Sequence, residues 1–309
     1  MRSIRTYLEI LRKKGVYTCL REAKKAVWPV WWTHSRAAIE QIQAERTNRY
    51  LWKRYGPLIA KPLDKEAKSV PDKTIWMCWL QGEEQAPPIV RQCIASVRHY
   101  ASDYNVVVLT AETMSDYVSL PDHIWRKYDS GTITFTHFSD ILRTALLVQH
   151  GGIWLDATVL LTGSLPEHIV QEPLFFLQKS ILSLIPHAGS SWLLAAHKGN
   201  AELQRVLDVL CAYWKQENIL RDYYLFHCIL YLVLTHNEQA SALYKGMAYI
   251  PNGDAHTLQY RLFEDFNERQ WNHICSRSAI HKLTWKFNHN EPIEKSGTYY
   301  DHILHHLHL

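Results

Sequence analysis

The chain has 309 residues and 47% of them are hydrophobic, which supports the full core of one large α/β domain, with or without appendages. A formal net charge of +4 is too small to favour a nucleic-acid-binding protein. Six cysteines without a CxxC pair predict reduced thiols in a cytoplasmic protein, and no apolar run is long enough to span a bilayer.

The first 33 residues combine positive charge with clustered tryptophans. Apolar residues recur at helical spacing through a stretch rich in lysine and arginine, and Trp28, Trp31 and Trp32 follow it. A basic amphipathic helix with adjoining tryptophans is typical of an anchor in the interface of an anionic membrane. The same pattern is equally typical of a helix that packs on its own domain with a solvated basic face. Both interpretations stay open, and the first predicts peripheral contact of residues 1–33 with the inner face of the plasma membrane.

A helical extension and a linker precede the part of the chain that carries strand patterns. A rather polar helix is predicted over residues 37–55, and prolines mark a linker over residues 56–72. We therefore expect residues 1–72 to form an extension and residues 73–309 to form the main domain.

Apolar strands alternate with helices from residue 74 onward. Such alternation implies an α/β fold with a doubly wound, mostly parallel sheet. The predicted elements are strands at 74–80, 105–110, 153–155, 248–251 and 278–283 and helices at 88–100, 138–150, 200–218 and 222–237.

The stretch 138–162 is the most informative part of the sequence. A helix with an apolar stripe ends at a glycine pair, and the buried strand 153–155 then runs into Asp156. A carboxylate that closes a buried strand is costly unless a cation meets it. Asp140 and Arg143 lie one turn apart on the preceding helix, so both can face the same cleft. We expect these three charged groups to converge at the carboxyl edge of the sheet, where open α/β folds bind ligands.

Two motifs in this stretch carry a resemblance to a known family, with support from two segments upstream. The matching residues are Ser139-Asp140-Ile141-Leu142-Arg143, Gly151-Gly152-Ile153-Trp154-Leu155-Asp156-Ala157-Thr158, Ile75-Trp76-Met77-Cys78-Trp79-Leu80-Gln81-Gly82 and Ala86-Pro87-Pro88. On these residues the chain resembles the bacterial capsular polysaccharide synthesis family of DXD-containing sugar transferases, akin to the α-1,6-mannosyltransferase-like enzymes. The resemblance implies a GT-A-like nucleotide-diphospho-sugar transferase fold with an N-terminal helical extension.

The resemblance also implies roles for single residues. Asp140 and Arg143 would hold sugar hydroxyls, and Asp156 would bind Mn²⁺ or Mg²⁺. Thr158 stands where the family has its second aspartate, so another ligand, or the diphosphate and water, would complete the metal shell. His281 in the late stretch 280–286 is the candidate for that ligand.

Donor-binding residues are expected at both ends of the domain. Strand alternation places Trp76 and Trp79 on opposite faces, so one of them faces the nucleotide base and the other belongs to the core. Asp222 is a weaker candidate for the acceptor side, with an N-cap as the alternative. The resemblance assigns base and ribose contacts to Trp76, Trp79, Gln81 and Gly82 and phosphate contacts to Lys282, Thr284 and Trp285.

The activity that these expectations describe is glycosyl transfer from a nucleotide-sugar to a surface or capsular polysaccharide, or to its lipid-linked precursor. The resemblance implies retention of configuration at the anomeric carbon. The alternative is a catalytically degenerate nucleotide-binding scaffold of a membrane polysaccharide assembly complex, because Thr158 replaces a carboxylate. Intact charges at Asp140, Arg143 and Asp156 speak against that alternative.

Overall fold

The structure is a computed structural model that describes residues 36–64, 73–287 and 291–307. The basic segment 1–33 and the end of the predicted linker lie outside these residues. Among the described helices, none is long and apolar enough to cross a membrane.

Short apolar runs form the strands of a central sheet, and most of their residues are buried. Continuous burial is expected for strands that are covered on both faces. Within the described residues the strands are β1 (Thr74–Cys78), β2 (Asn105–Leu109), β3 (Gly152–Leu155), β4 (Val159–Leu161), β5 (Leu174–Gln178), β6 (Gly189–Ala196) and β7 (Ile280–Lys282).

The central sheet is mixed, with the strand order β2-β1-β3-β6-β5. β1 lies parallel to both β2 and β3, whereas β6 runs antiparallel to both β3 and β5. The expectation of a mostly parallel sheet is therefore wrong for half of the strand pairs. For β5 and β6 the physical reason is their direct connection, since neighbouring strands joined without a crossover must run antiparallel.

Helices cover both faces of the sheet and complete a three-layer α/β architecture. The predicted helices at 88–100, 138–150, 200–218 and 222–237 are confirmed, with ends that differ by a few residues. The helices of the described residues are α1 (Arg36–Ala60), α2 (Pro88–Tyr100), α3 (Met114–Tyr117), α4 (Asp122–Asp129), α5 (Phe135–His150), α6 (His168–Gln171), α7 (Ala201–Gln216), α8 (Leu225–His236), α9 (Glu238–Gly246), α10 (Gly253–His256), α11 (Glu268–Arg277) and α12 (Tyr299–His305).

Two hydrophobic cores lie on the two sides of the sheet. Strand alternation sends Trp76 and Trp154 into the core formed with α5, α7 and α8. The intervening residues Ile75 and Ile153 enter the second core, which contains the apolar face of α2. This layering leaves the carboxyl ends of β1 and β3 at one edge of the molecule.

Helix α1 is longer than predicted and packs against the domain. It continues through Pro57 to Ala60, and its residues Leu51 and Ile59 are fully buried in the core that contains α8. Arg205 donates to the Leu58 and Lys61 carbonyls near the helix end. Burial and these hydrogen bonds offset the backbone bond that Pro57 cannot make.

The two late strands that the sequence predicts have different outcomes. Residues 248–251 form no strand, and only an isolated bridge joins Pro251 to Gln178. The second is confirmed as β7, but it pairs antiparallel with β4 in a separate two-stranded sheet. That small sheet carries the late stretch of the chain to the edge where β3 ends.

Replacing Gly152 by alanine is expected to destabilise the protein by at least about 2 kcal/mol. Gly152 has a φ of +97°, and a Cβ at this position would lie 2.4 Å from the Thr74 carbonyl oxygen. Both the backbone strain and the clash raise the free energy of the folded state. The measurement is urea-induced unfolding of the purified variant.

The matched control is Gly131→Ala. Gly131 also has a positive φ, +68°, but a Cβ there would meet no atom within 4 Å. This variant should lose only the backbone contribution, roughly 1–2 kcal/mol. Equal losses of unfolding free energy in the two variants would contradict the argument that a Cβ at position 152 clashes with the Thr74 carbonyl oxygen.

Candidate active site

The structure brings Asp140, Arg143 and Asp156 together, as predicted. Asp140 and Arg143 lie on the inner face of α5, and both are buried, with 7% and 5% of their surface exposed. Helix α5 ends at Gly151, whose φ of +77° lets the chain turn at once into β3. Asp156 follows β3 directly, so its carboxylate reaches the same side of the sheet as the helix.

Arg143 connects the two carboxylates. Its guanidinium donates to the Ser139 carbonyl at 2.9 Å, to the Ser139 hydroxyl at 2.8 Å and to the Ser191 carbonyl at 2.5 Å. The same group lies 3.5 Å from an oxygen of Asp140 and 3.4 Å from an oxygen of Asp156. A rigid fork held by backbone acceptors fixes the cation between the two acids.

Asp156 is held as an anion by cations and by a ring donor. The Trp154 indole donates to Oδ1 at 2.9 Å, and the Lys282 ammonium donates to Oδ2 at 3.1 Å. Burial by itself raises the pKa of Asp156. The positive charges of Lys282 and Arg143 lower the pKa by more than burial raises it, so the pKa lies well below its ordinary value. The carboxylate therefore stays charged throughout the neutral range.

Asp140 has the weaker set of contacts. The Arg143 guanidinium and the His137 ring each lie 3.5 Å from one of its oxygens, which is long for a hydrogen bond. Neither ring nitrogen of His137 has a hydrogen-bond partner among the described residues. Asp140 is thus a buried acid whose oxygens can still accept hydrogen bonds from a ligand.

Lys282 meets Asp156 from the opposite side of the cleft. It lies on β7 opposite Val159 of β4, and the Leu283 amide donates to the Thr158 carbonyl at 2.8 Å. This pairing places the Lys282 ammonium on both Asp156 Oδ2 and the Thr158 hydroxyl. The late stretch of the chain therefore does reach the site, as the sequence suggests.

His281 does not contact the acid cluster, and its metal role stays a prediction. Its side chain alternates with that of Lys282 along β7 and points to the other face. His281 is fully buried, it lies 2.9 Å from the Thr162 hydroxyl, and burial lowers its pKa to about 4. His281 is therefore a neutral core histidine with a partner at Nε2, whereas its buried Nδ1 has no hydrogen-bond partner among the described residues.

The remaining oxygens do not fit the Mn²⁺ or Mg²⁺ ion that the resemblance implies. Such an ion needs several oxygen ligands at once. Lys282 occupies both Asp156 Oδ2 and the Thr158 hydroxyl, which are the oxygens that would bind it. Within the described residues, no group of three or more His, Cys, Asp or Glu side chains is arranged to hold a metal.

The two predicted tryptophans of β1 separate as alternation requires. Trp76 is buried and donates to the Gly151 carbonyl at 2.9 Å, so it belongs to the core and cannot stack on a base. Trp79 is partly exposed, and its indole nitrogen has no acceptor among the described residues. Its ring meets that of Trp285 edge to face at 5.4 Å. These two rings form an aromatic wall beside Lys282.

The other predicted donor contacts flank this wall. Gly82 has a φ of +83°, and its amide donates to the Trp79 carbonyl in a tight turn that leaves Gln81 exposed. The Thr284 hydroxyl accepts a hydrogen bond from the Lys286 amide at 3.2 Å. Gln81 and Gly82 follow Trp79 in the chain, and Thr284 immediately precedes Trp285.

The acceptor-side candidate Asp222 has a structural role. One of its oxygens accepts from the Thr47 hydroxyl at 2.8 Å and the other accepts from the Tyr224 amide at 3.0 Å. The carboxylate therefore forms the turn before α8 and ties it to α1, which is close to the N-cap alternative.

Two histidines near the acids were not predicted. His137 precedes Asp140 by one helical turn, a spacing that is visible in the sequence. His227 comes from α8, and no local pattern reveals it. Burial lowers the pKa of His227, while the Asp140 carboxylate opposes that shift, so α8 presents this ring to the acid cluster.

The fold and the site define an α/β protein with a largely buried cluster of charged residues at the carboxyl edge of its sheet. The sequence profile of the family described as capsular polysaccharide synthesis protein matches residues 22–303. The chain belongs to this family.

Similar proteins of known name cover only part of the chain. It is 26% identical over 159 residues to the O-glycosyltransferase braB of Annulohypoxylon truncatum. The aligned residues cover 46% of this chain and 38% of that protein. It is 32% identical over 102 residues to the glycosyltransferase afumC of Aspergillus fumigatus. Here the aligned residues cover 30% of this chain and 26% of that protein. The matches thus span less than half the length of these relatives.

One solved structure, the PaToxG glycosyltransferase, resembles the fold with a TM-score of 0.39 and 14% sequence identity. The likeness covers 67% of this chain and 83% of that one.

Proposed function

We propose that the protein is a glycosyltransferase that moves a hexose from a nucleotide-sugar to a surface or capsular polysaccharide, or to its lipid-linked precursor. The observation that carries the proposal is the cluster of Asp140, Arg143 and Asp156 beside the Trp79–Trp285 wall. Membership of the capsular polysaccharide synthesis family and the names of the partial relatives support it.

The site has one group for each need of such a transfer. The exposed parts of the Trp79 and Trp285 rings offer an aromatic surface on which a base could stack. Asp140 accepts hydrogen bonds from sugar hydroxyls, and Arg143 donates to oxygens of the sugar and the diphosphate. Asp156 sets the position of the cations around it. Together these groups orient the donor, which is the main requirement for transfer.

In the proposed step the bond between the anomeric carbon and the diphosphate oxygen breaks, and its electron pair stays on that oxygen. The hydroxyl oxygen of the acceptor bonds to the anomeric carbon. The hydroxyl attacks from the face that the diphosphate leaves, which gives retention, and its proton passes to the leaving diphosphate oxygen, so that no separate protein base is needed. Positive charge fixed near the diphosphate stabilises the charge that develops there.

The experiment is a turnover assay of the purified full chain with a panel of nucleotide-sugars, with and without capsular polysaccharide fragments. We expect one donor to release its nucleoside diphosphate, and we expect the acceptor to accelerate the release. Release from none of the donors would reject the proposal and favour the nucleotide-binding scaffold.

We also propose that residues 1–33 hold the protein at the inner face of the plasma membrane. The proposal rests on their sequence, since each lysine or arginine near an anionic surface contributes about 1 kcal/mol of binding. Deleting Met1–Thr33 should move the protein from the membrane fraction to the soluble fraction in sedimentation with anionic vesicles. An unchanged distribution would reject the anchor.

A further inference from the structure

We infer that the Lys282 ammonium takes the place of the divalent metal ion, so that the donor diphosphate is bound and released without Mn²⁺ or Mg²⁺. The inference rests on the proposed glycosyl transfer and concerns how the same site neutralises its substrate. It starts from the contacts of Lys282, which joins Asp156 to Thr158 across the position where a second carboxylate would meet a metal.

The charges at this position balance in the same way as in a metal site. Two aspartates and a divalent cation have no net charge. An aspartate, a threonine and a lysine also have no net charge. Compared with the metal site, this set has one negative and one positive charge fewer. The exchange of a carboxylate for Thr158 and of a metal for Lys282 therefore leaves the net charge of the site unchanged.

Lys282 also has a donor left for the substrate. An ammonium group has three N–H donors, and the contacts with Asp156 and Thr158 use two of them. Its side chain is 19% exposed, so the third donor can reach a phosphate oxygen in the cleft. Lysine binds phosphate as a point charge in this manner.

The position of Lys282 is fixed by the fold. The β4–β7 pairing sets Lys282 opposite Val159, and Thr158 immediately precedes that strand. Three residues after Lys282, Trp285 contacts Trp79 at the proposed base-binding edge. A diphosphate attached to a base on this wall would lie beside the ammonium group.

The first test compares turnover of the wild-type chain in EDTA with turnover in added Mn²⁺ or Mg²⁺. We expect kcat/KM to agree within about twofold, because Lys282 supplies the charge. Lys282→Met should lower kcat/KM by about 10²- to 10³-fold, the usual loss when one transition-state donor is removed. The control Lys295→Met removes a lysine that pairs with Asp265 at the exposed surface, and it should leave turnover unchanged.

The second test measures Mn²⁺ binding by electron paramagnetic resonance and needs no turnover. The wild-type chain should bind no Mn²⁺ at micromolar concentrations. The double variant Thr158→Asp/Lys282→Ala restores two carboxylates and an open position, and it should gain Mn²⁺ binding. Circular dichroism checks that both proteins are folded.

The outcomes separate this inference from the proposed function. Turnover that EDTA abolishes and Mn²⁺ restores would overturn the role of Lys282 and leave the transferase intact. Tight Mn²⁺ binding by the wild-type chain, or none gained by the double variant, would overturn the inference even if no donor is turned over. Absent turnover in every condition rejects only the proposed reaction.

Discussion

Replacing Asp156 by asparagine is expected to lower turnover of the nucleotide-sugar by about 10²- to 10³-fold or more. Asparagine keeps the shape and can still accept from the Trp154 indole, which donates to Asp156 Oδ1 at 2.9 Å. It loses the charge that holds Lys282 and Arg143 in place. Steady-state kinetics with the donor found in the turnover assay measures this loss.

The effect of Asp156 on stability should depend on pH. Its pKa is lowered in the folded state, so its contribution is complete above the unfolded pKa of about 4 and is lost as the pH falls further. The difference in unfolding free energy between wild type and Asp156→Asn should therefore be constant near neutral pH and shrink in acid. Urea unfolding at several pH values measures it.

The control is Asp103→Asn at the opposite edge of the sheet. Asp103 pairs with Lys73 at 2.7 Å, and both side chains are largely exposed. This variant should keep full turnover. Full turnover in Asp156→Asn as well would remove Asp156 from the site.

Replacing Arg143 by methionine is expected to destabilise the protein by about 3–5 kcal/mol and to abolish donor binding. The variant leaves Asp140 and Asp156 without their shared cation. It also leaves the Ser139 and Ser191 carbonyls without the donors that they now accept from. Urea unfolding gives the stability loss, and calorimetric titration with the donor gives the binding loss.

A second buried arginine separates stability from function. Arg205 is as buried as Arg143 and donates to carbonyls at the end of α1, far along the chain from the acids. Arg205→Met should destabilise the protein, but its folded fraction should still bind the donor. Equal donor affinity in the two variants would contradict the assigned role of Arg143.

The part of the site that could be predicted from the sequence is local. The apolar stripe of α5, the glycine pair and the run into Asp156 lie within a few turns of each other, so periodicity alone places three charged groups together. The separation of Trp76 from Trp79 follows in the same way from strand alternation.

The remainder depends on strand pairing, which periodicity does not reveal. Strand β5 is a short, mostly apolar run and β6 begins with Gly-Ser-Ser, and neither pattern indicates the direction or the partner of its strand. The sequence does not show whether His281 or Lys282 contacts Asp156. That depends on the register of β7 with β4, since a shift of one residue sends each side chain to the other face. Residues such as His227 reach the acids only through the packing of α8.

The most direct test of the donor site is thermal unfolding of the full chain against a panel of nucleotide-sugars, both in EDTA and in added Mn²⁺ or Mg²⁺. A ligand that binds the native state at 100 times its Kd stabilises it by about 2.7 kcal/mol, which raises the unfolding midpoint by several degrees. We expect one nucleotide-sugar to raise the midpoint of the wild-type chain and to leave that of Asp156→Asn nearly unchanged. No shift with any donor, or equal shifts in both proteins, would contradict the assignment of this cluster as the donor site.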